Sequence, residues 1–372
     1  MPEDIARMLR GRRRALVVLV SSILTLACAT APPEADSYRT LSSDEVSHLK
    51  LVRVDSLVLT IPSGLIGGIT DFRRHDGRYY LLDDYEKMVH VFDPGGSHLL
   101  SFGGEGSGPG EFIRPIALAF DRDEVLVIDG QSGLMDAFGD DGTFHAADYL
   151  PLPRTPMSIE VVDGDLYVVT TGAPDSAGGG WELLTVLDSN FEVVGRGCRI
   201  DARTVASERS RGIVQIFTAS AVAVLDGRVY CTQPISPIVQ VMGPDGKTLG
   251  KVAVAPPFYR APVDRPITLN QKEMFNYVAG FTSHSAFHPL RDGPGFVSVY
   301  SSWDVEAGSY RFWLFRCTMD ADWGVRDCAM TESPKRPIMI TPDGEVFLEE
   351  NGDADAPPVV GIYHLSVEGD AP

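Results

Sequence analysis

Two pairs of residues recur along this chain at a fixed interval of 46 residues. Asp83 lies nine residues before Phe92, and Asp129 lies nine residues before Phe138. In both pairs the Asp ends an apolar run and the Phe ends the next run, which is the pattern of two successive short strands. A repeat of this length is typical of four-stranded blades, which stack because one blade alone cannot bury both of its faces. The interval therefore predicts an all-β chain of repeated blades.

The first of these units has a third strand and a glycine-rich loop. Strands are predicted at residues 79–83, 88–92 and 98–102, and the segment FGGEGSGPGEF follows at residues 102–112. The order of strand, Asp, strand, Phe-Asp turn, strand and glycine loop resembles the NHL repeat, the unit of one large group of β-propellers. The resemblance is clear over residues 66–138 and implies the propeller fold for the rest of the chain.

The same alternation of strands and turns divides the remaining chain into blades. The last unit supplies three strands, and residues 51–62 alternate β-formers before the first blade, so this early segment can be the missing outer strand. We therefore predict a six-bladed β-propeller over residues 51–368, closed by an N-terminal strand in the last blade; seven blades would need more strands. The second to fifth blades are placed at residues 115–150, 157–198, 220–255 and 283–328.

The first residues have the composition of an export signal. Four arginines precede a mostly apolar run of 13 residues, which is too short to span a bilayer as a helix, so residues 1–27 are predicted to be a signal peptide. The sequence Leu-Thr-Leu-Ala-Cys ending at Cys28 resembles the lipobox of bacterial lipoproteins, and the resemblance implies that Cys28 carries lipid. An ordinary cleaved signal is the alternative. Residues 28–50 are expected to form a tether to the cell envelope, at the outer membrane or in the periplasm.

The charge of the chain excludes nucleic acid as a partner. Residues 28–372 contain 27 Lys and Arg but 49 Asp and Glu, and they contain no basic cluster. Phosphate groups require clustered cations, so neither nucleic acid nor an anionic membrane surface is an expected ligand. Contact with the membrane is expected through the lipid anchor alone, and the protein is expected to be a monomer.

Four further cysteines suit an oxidising compartment. Cys317 and Cys328 flank a predicted hairpin turn, so we expect them to form a disulfide. Cys198 and Cys231 would then pair by elimination, although two buried free thiols remain the alternative.

Two insertions interrupt the regular spacing, at residues 203–218 and 255–282. Thr268 and Gln271 fit a capping box, which predicts a short helix in the second insertion. Insertions between blades lie on the face that carries the outer-to-inner connections, and in propellers this face usually holds the ligand site.

Aromatic and Arg side chains dominate binding hot spots. The candidates on the loop face are therefore aromatic or Arg residues, although each can also serve only to pack its own loop: Tyr85, Arg211, Tyr259, Arg260 and Trp303.

The sequence gives only weak signals of catalysis. Related six-bladed folds include metal-dependent lactonases and an amidating lyase, so a Ca²⁺ or Zn²⁺ site in the central channel, with hydrolase or lyase activity, is the alternative function. His284 and His288 would point the same way along a strand but lie well apart, and Asp83, Asp129 and Asp304 could converge on a hard cation. Asp83 and Asp129 are better explained as turn caps. No metal site is predicted, and calcium is the one cofactor that remains as an alternative.

The glycine loop at residues 103–110 does not fit a nucleotide site. It lacks GxGxxG, no Lys follows it, and it leads towards a strand. Its glycines are instead expected to permit a tight crossing, with positive φ, from one blade to the next. The sequence favours a binding or scaffold module of the envelope over an enzyme, with a protein segment or glycan as the ligand.

Overall fold

Blades 1 to 5 each contain four strands that follow one another along the chain. The structure is a computed structural model, and it describes residues 37–62, 66–174, 181–200, 221–263, 270–291, 293–350 and 356–367, with the side chains of residues 172–174 and 271 left out. Blade 1 contains β3 (Asp71–His75), β4 (Arg78–Asp83), β5 (Met88–Phe92) and β6 (His98–Gly103). Blade 2 contains β7 (Pro115–Asp121), β8 (Glu124–Asp129), β9 (Leu134–Gly139) and β10 (Phe144–Tyr149).

The next three blades repeat this order. Blade 3 contains β11 (Pro156–Val162), β12 (Asp165–Pro174), β13 (Trp181–Leu187) and β14 (Val193–Ile200). Blade 4 contains β15 (Val222–Leu225), β16 (Arg228–Thr232), β17 (Ile238–Met242) and β18 (Thr248–Ala255). Blade 5 contains β19 (Ser283–Leu290), β20 (Gly295–Asp304), β21 (Ser309–Met319) and β22 (Val325–Ser333).

Blade 6 combines the two ends of the described chain. It contains β23 (Pro337–Ile340), β24 (Glu345–Glu349) and β25 (Val359–Val367), and its fourth strand is β2 (Val46–Val58). Strand β2 runs antiparallel to β25, with Arg53 opposite Tyr363 and Leu57 opposite Val360. The predicted six-bladed propeller with N-terminal closure is confirmed.

The core of the protein lies between the blades. Six clusters of buried apolar side chains occupy the six interfaces between neighbouring blades. Successive residues of one strand serve opposite interfaces: Leu81 packs towards blade 6, and Leu82 packs towards blade 2. Both side chains are fully buried. This two-sided burial explains why the central strands are continuous apolar runs.

The closing strand starts earlier than expected. β1 (Arg39–Thr40) adds to blade 4 beside β18, and Val46 already belongs to β2. The N–H of Leu41 donates to the carbonyl of Ala255 at 3.0 Å, and the Leu41 side chain is buried between blades 4 and 5. The prediction that the tether extends to residue 50 is therefore wrong, because an apolar anchor holds this segment on the propeller. Residues 1–36, with Cys28, lie outside the described residues.

Both disulfides form. Cys198 in β14 joins Cys231 in β16 and links blade 3 to blade 4, with a Cα–Cα distance of 5.9 Å. Cys317 and Cys328 join neighbouring strands of blade 5. The pairing expected from the sequence is confirmed. Cys198 and Cys231 are therefore a disulfide and not two free thiols.

The predicted short helix is present as α1 (Gln271–Ala279), but its cap differs. Asn270 is the N-cap, and its side-chain oxygen accepts the N–H of Glu273 at 2.9 Å. Thr268, the N-cap proposed from the sequence, lies outside the described residues, and the observed N-cap is two residues further along the chain. No helix among the described residues is both long and apolar enough to cross a membrane.

The closing strand makes a testable contribution to stability. Leu57 is buried between blades 6 and 1, whereas Val54 on the same strand is about half exposed. We expect Leu57→Ala to lower the free energy of unfolding by about 3 kcal/mol, measured by chemical denaturation, because it leaves a cavity in the closing interface. Val54→Ala is the matched control and should change it by less than about 0.5 kcal/mol. Equal effects of the two substitutions would contradict a closing role for β2.

Candidate functional site

The loops of one face are held by carboxylates at the ends of the second strands. Asp83 ends β4, and its Oδ1 accepts the N–H groups of Tyr85 and Glu86 at 2.8 and 3.2 Å. Its Oδ2 accepts the N–H of Gly67 at 2.6 Å, which ties this loop to the segment that enters blade 1. Asp83 is fully buried. The cap expected from the sequence is thus also a clamp between two loops.

Asp129 repeats this clamp in blade 2. Its Oδ1 accepts the N–H groups of Gln131 and Ser132, and its Oδ2 accepts those of Ile113 and Arg114, all at 2.6 to 2.8 Å. Burial opposes ionisation of Asp129, but these four donors outweigh it and lower the pKa of the carboxyl. Four amides leave this carboxylate little capacity to bind a cation.

Asp304 forms the corresponding turn in blade 5. Its Oδ1 accepts the N–H groups of Ala307 and Glu306, both at 3.0 Å, and these bonds lower the pKa of the carboxyl. The three aspartates considered as calcium ligands therefore end the second strands of blades 1, 2 and 5, and each binds the backbone of its own loop.

The glycine-rich loop is a crossing between blades, as predicted. Gly103 has a φ of +92°, and a Cβ there would lie 2.4 Å from the ring of Phe112. The Phe112 ring is fully buried between blades 1 and 2, and the backbone N–H of Phe112 donates to the carbonyl of Gly104 at 2.7 Å. The Glu111 carboxylate accepts the N–H of Gly108. The loop thus uses its own polar groups for folding.

A cleft opens on this face between blades 5 and 6. It has a volume of about 530 Å³ and lies between β19 and β23, the inner strands of these blades. These two strands make the least contact of the six neighbouring pairs of inner strands. The lining is mostly apolar, and it includes Val278, Phe281, Val299, Ile338, Met339 and Ile340. A concave, largely apolar cavity of this size is typical of a ligand site.

Aromatic side chains form one side of the cleft. The ring of Trp303 lies edge-on to Tyr310 at a centroid distance of 5.0 Å, and Phe275 of α1 lies 5.9 Å from Trp303. Tyr310 is 41% exposed and lies 6.2 Å from Phe312. Partial burial raises the pKa of Tyr310. A rim of this kind offers large, rigid contact area.

A few polar groups accompany the aromatic rim. The hydroxyl oxygens of Ser285 and Ser301 are 2.8 Å apart, and Ser283 and Ser302 also line the cleft. Arg336 lies in the connection that leads into β23, and its Nη1 donates to the carbonyl of Ile69 at 3.1 Å. The cleft therefore combines apolar walls with several hydrogen-bond donors.

A β-bulge in β19 separates the two histidines considered as a metal pair. The strand register shifts between His284 and Ala286, so Ser285 is an extra residue. His284 stacks on Tyr300 at 4.5 Å on the side of blade 4, whereas His288 lines the cleft on the side of blade 6. The expectation that they point the same way is wrong, because the extra residue reverses the alternation.

Both histidines are neutral at pH 7. Burial lowers the pKa of His284 to about 3. Burial and the nearby Arg73 guanidinium lower the pKa of His288 to about 4. His288 lines both the cleft and the central channel.

The central channel contains a charged network. Arg73 in β3 pairs with Asp71 at 3.0 Å and reaches Glu160 in β11 at 2.7 Å. Burial disfavours the charged guanidinium, but the two carboxylates outweigh it and raise the pKa of Arg73. Asp71 also accepts the N–H of Leu118 at 2.9 Å. The network thus joins three blades. Within the described residues, no group of three or more His, Cys, Asp or Glu side chains could hold a metal ion.

The structure does not bring the candidate binding residues into one cluster. Trp303 lies in the cleft, whereas Tyr85 is 76% exposed on blade 1. Tyr259 packs against Tyr300 on the blade 4 side, and its hydroxyl donates to the carbonyl of Ile235 at 3.1 Å. This position favours a packing role for Tyr259. Its neighbour Arg260 is exposed. Arg211 lies outside the described residues.

Sequence reasoning missed most of the cleft. Phe275, Tyr310, Phe312 and Arg336 were not among the candidates, although they line the cleft or flank Trp303. The density of aromatic residues at positions 310–313 is the signal that could have identified two of them.

The Asp129 clamp can be tested by its dependence on pH. We expect Asp129→Asn to lower the free energy of unfolding at pH 7 by about 2 kcal/mol, because the new amide group faces two N–H donors. The lowered pKa means that the contribution of Asp129 is complete above the ordinary value of 3.8 and is lost as pH falls. The difference from the native protein, measured by denaturation, should therefore shrink in acid. Asp123→Asn, in an exposed turn of blade 2, is the charge-matched control, and a pH-independent difference would contradict the clamp.

Comparisons with known proteins agree with this architecture. A family model described as a 6-bladed beta-propeller, DUF5128, matches residues 37–163. A Bacteroides fragilis protein predicted to be exported has a TM-score of 0.58 and 13% identity, and the match covers 89% of this chain and 98% of that one. A Bacteroides vulgatus member of the DUF4221 family has a TM-score of 0.62 and 11% identity, covering 86% and 99%. No curated protein matches the sequence. Identities this low show the fold alone, and that fold is a six-bladed β-propeller.

Proposed function

We propose that the protein is a binding or scaffold module of the bacterial cell envelope, of the NHL-repeat type, which recognises a protein segment or glycan on its loop face. The observation that carries this proposal is the cleft between blades 5 and 6. In this cleft Trp303 lies beside Tyr310, and both apolar side chains and serine hydroxyls line the walls. Such a combination of aromatic anchors and few polar groups is characteristic of recognition sites.

The proposed location outside the cytoplasm rests on separate observations. Two disulfides occur in one chain, and disulfides persist in oxidising compartments. The N-terminal sequence has the features of an export signal followed by Cys28. The similar Bacteroides fragilis protein is itself predicted to be exported. Lipid on Cys28 would hold the propeller at a membrane.

Binding explains the described geometry better than metal-assisted catalysis. A hydrolase or lyase of that kind needs at least three converging ligands. Asp83 and Asp129 are occupied by backbone amides, and the bulge in β19 places His284 and His288 on opposite sides of blade 5.

Substitution of the aromatic anchor tests the binding proposal. The full chain would be applied to an array of peptides and oligosaccharides, and the Kd of the strongest ligand would be measured. We expect Trp303→Ala to raise that Kd about thirtyfold, because a central Trp contributes about 2 kcal/mol. Tyr149→Ala removes a 67%-exposed aromatic ring on the outer strand of blade 2 and is the control. An unchanged Kd for the Trp303 variant, folded by circular dichroism, would rule out the cleft as the binding site.

The lipid anchor is tested by cell fractionation. We expect Cys28→Ala to move the exported protein from the membrane fraction to the soluble fraction, because a single thioether-linked lipid group would be lost. Thr30→Ala, two residues further along the chain, should leave the distribution unchanged. Retention of the Cys28 variant in the membrane fraction would disprove the anchor without affecting the binding proposal.

A further inference from the structure

The buried apolar walls of the cleft favour an apolar side chain over a sugar ring. Its walls include Phe281, Val299, Ile338 and Ile340. A sugar ring carries hydroxyl groups around its edge, and burying these against apolar walls would leave them without hydrogen-bond partners. An aliphatic or aromatic side chain meets no such penalty. The walls around the buried side chains of Phe281, Val299 and Ile340 therefore fit an apolar side chain.

The mouth of the cleft carries a cation. The Arg336 side chain is about half exposed, and one of its five N–H groups donates to the carbonyl of Ile69. The Glu349 carboxylate forms an ion pair with Nη1 at 3.8 Å, a distance too long for a hydrogen bond. The Arg336 guanidinium therefore keeps donors for a ligand. Although the chain as a whole is acidic, a guanidinium can give a carboxylate two charge-assisted hydrogen bonds, so this group locally favours an anionic ligand.

The serine pair supplies a further donor. Ser285 and Ser301 have their hydroxyl oxygens 2.8 Å apart, so one hydroxyl donates to the other. The accepting hydroxyl keeps its own hydrogen, which can be donated to a third oxygen. The two serines lie on β19 and β20, so the sheet holds this donor in a fixed position beside the apolar walls.

We infer that the cleft binds the C-terminal residue of a polypeptide, with an apolar side chain inside and the free carboxylate on Arg336. This inference rests on the proposed binding function of the cleft and names its ligand class. A C-terminal residue carries an apolar side chain and a carboxylate on the same Cα atom, which matches apolar walls beside cationic and hydroxyl donors. An internal acidic residue lacks the adjacent apolar group. A free fatty acid shares the two chemical features but lacks a peptide N–H and a preceding residue.

The test compares free and amidated C-termini. The full chain would be titrated with fluorescent hexapeptides ending in Phe or Leu, each as the free acid and as the amide, and with dodecanoate as a competitor. We expect amidation to raise the Kd at least tenfold, because a charge-assisted hydrogen bond is lost. Arg336→Gln should weaken binding of the acid to the level of the amide and leave the amide unchanged. Arg326→Gln is the charge-matched control, since Arg326 lies in the hairpin of blade 5 and pairs with Asp320 at 3.0 Å.

Different outcomes would overturn the recognition of a C-terminal carboxylate and the proposed binding function of the cleft. Equal affinity for acid and amide would overturn carboxylate recognition and leave peptide binding by the cleft in place. Binding of oligosaccharides but of no peptide, or complete displacement by dodecanoate with no dependence on the last peptide residue, would overturn the polypeptide ligand. Tight binding of the acids that Trp303→Ala does not weaken would place the peptide site elsewhere and overturn both.

Discussion

Burial of apolar side chains between neighbouring blades is the interaction on which the rest of the structure depends. Each blade is apolar on both faces, as Leu81 and Leu82 show within one strand. A sheet of this kind is stable only with a neighbour on each side, so the series of blades must return to its start. Strand β2 completes that return by pairing with β25 and placing Leu57 in the last interface. The disulfide between Cys198 and Cys231 adds a covalent link between two adjacent blades.

The cleft between blades 5 and 6 follows from unequal contact between the inner strands of this ring. Inner strands of neighbouring blades contact one another, but β19 and β23 do so least, and the cleft occupies the space between them. The clamps at Asp83 and Asp129 fix loops on the same face through backbone amides. The same acidic groups are thereby committed to structure, and the aromatic rings and Arg336 are the recognition elements that we propose.

Sequence reasoning succeeded where local chemistry decides the outcome. Asp residues at strand ends cap their turns, glycine permits the crossing at Gly103, and Cys317 lies opposite Cys328 across a hairpin. It failed where one extra residue changes the register of a strand, or where a distant blade offers a buried position to a segment. The bulge at Ser285 reverses the direction of His288 relative to His284, and strand alternation alone cannot reveal such an insertion. Leu41 holds residues predicted as a tether because blade 4 offers it a buried position.

The 46-residue interval by itself determined the repeated blade, and the deficit of one strand determined that the N-terminal segment closes the ring. Periodicity can do this because strand alternation and turn chemistry are local properties. Only the tertiary structure decided that Trp303, Tyr310 and Arg336 share one cleft while Tyr259 packs inside another interface. The side on which a residue lies depends on bulges and on the spacing of blades around the axis. These arise from contacts between segments far apart in the chain, which no local pattern contains.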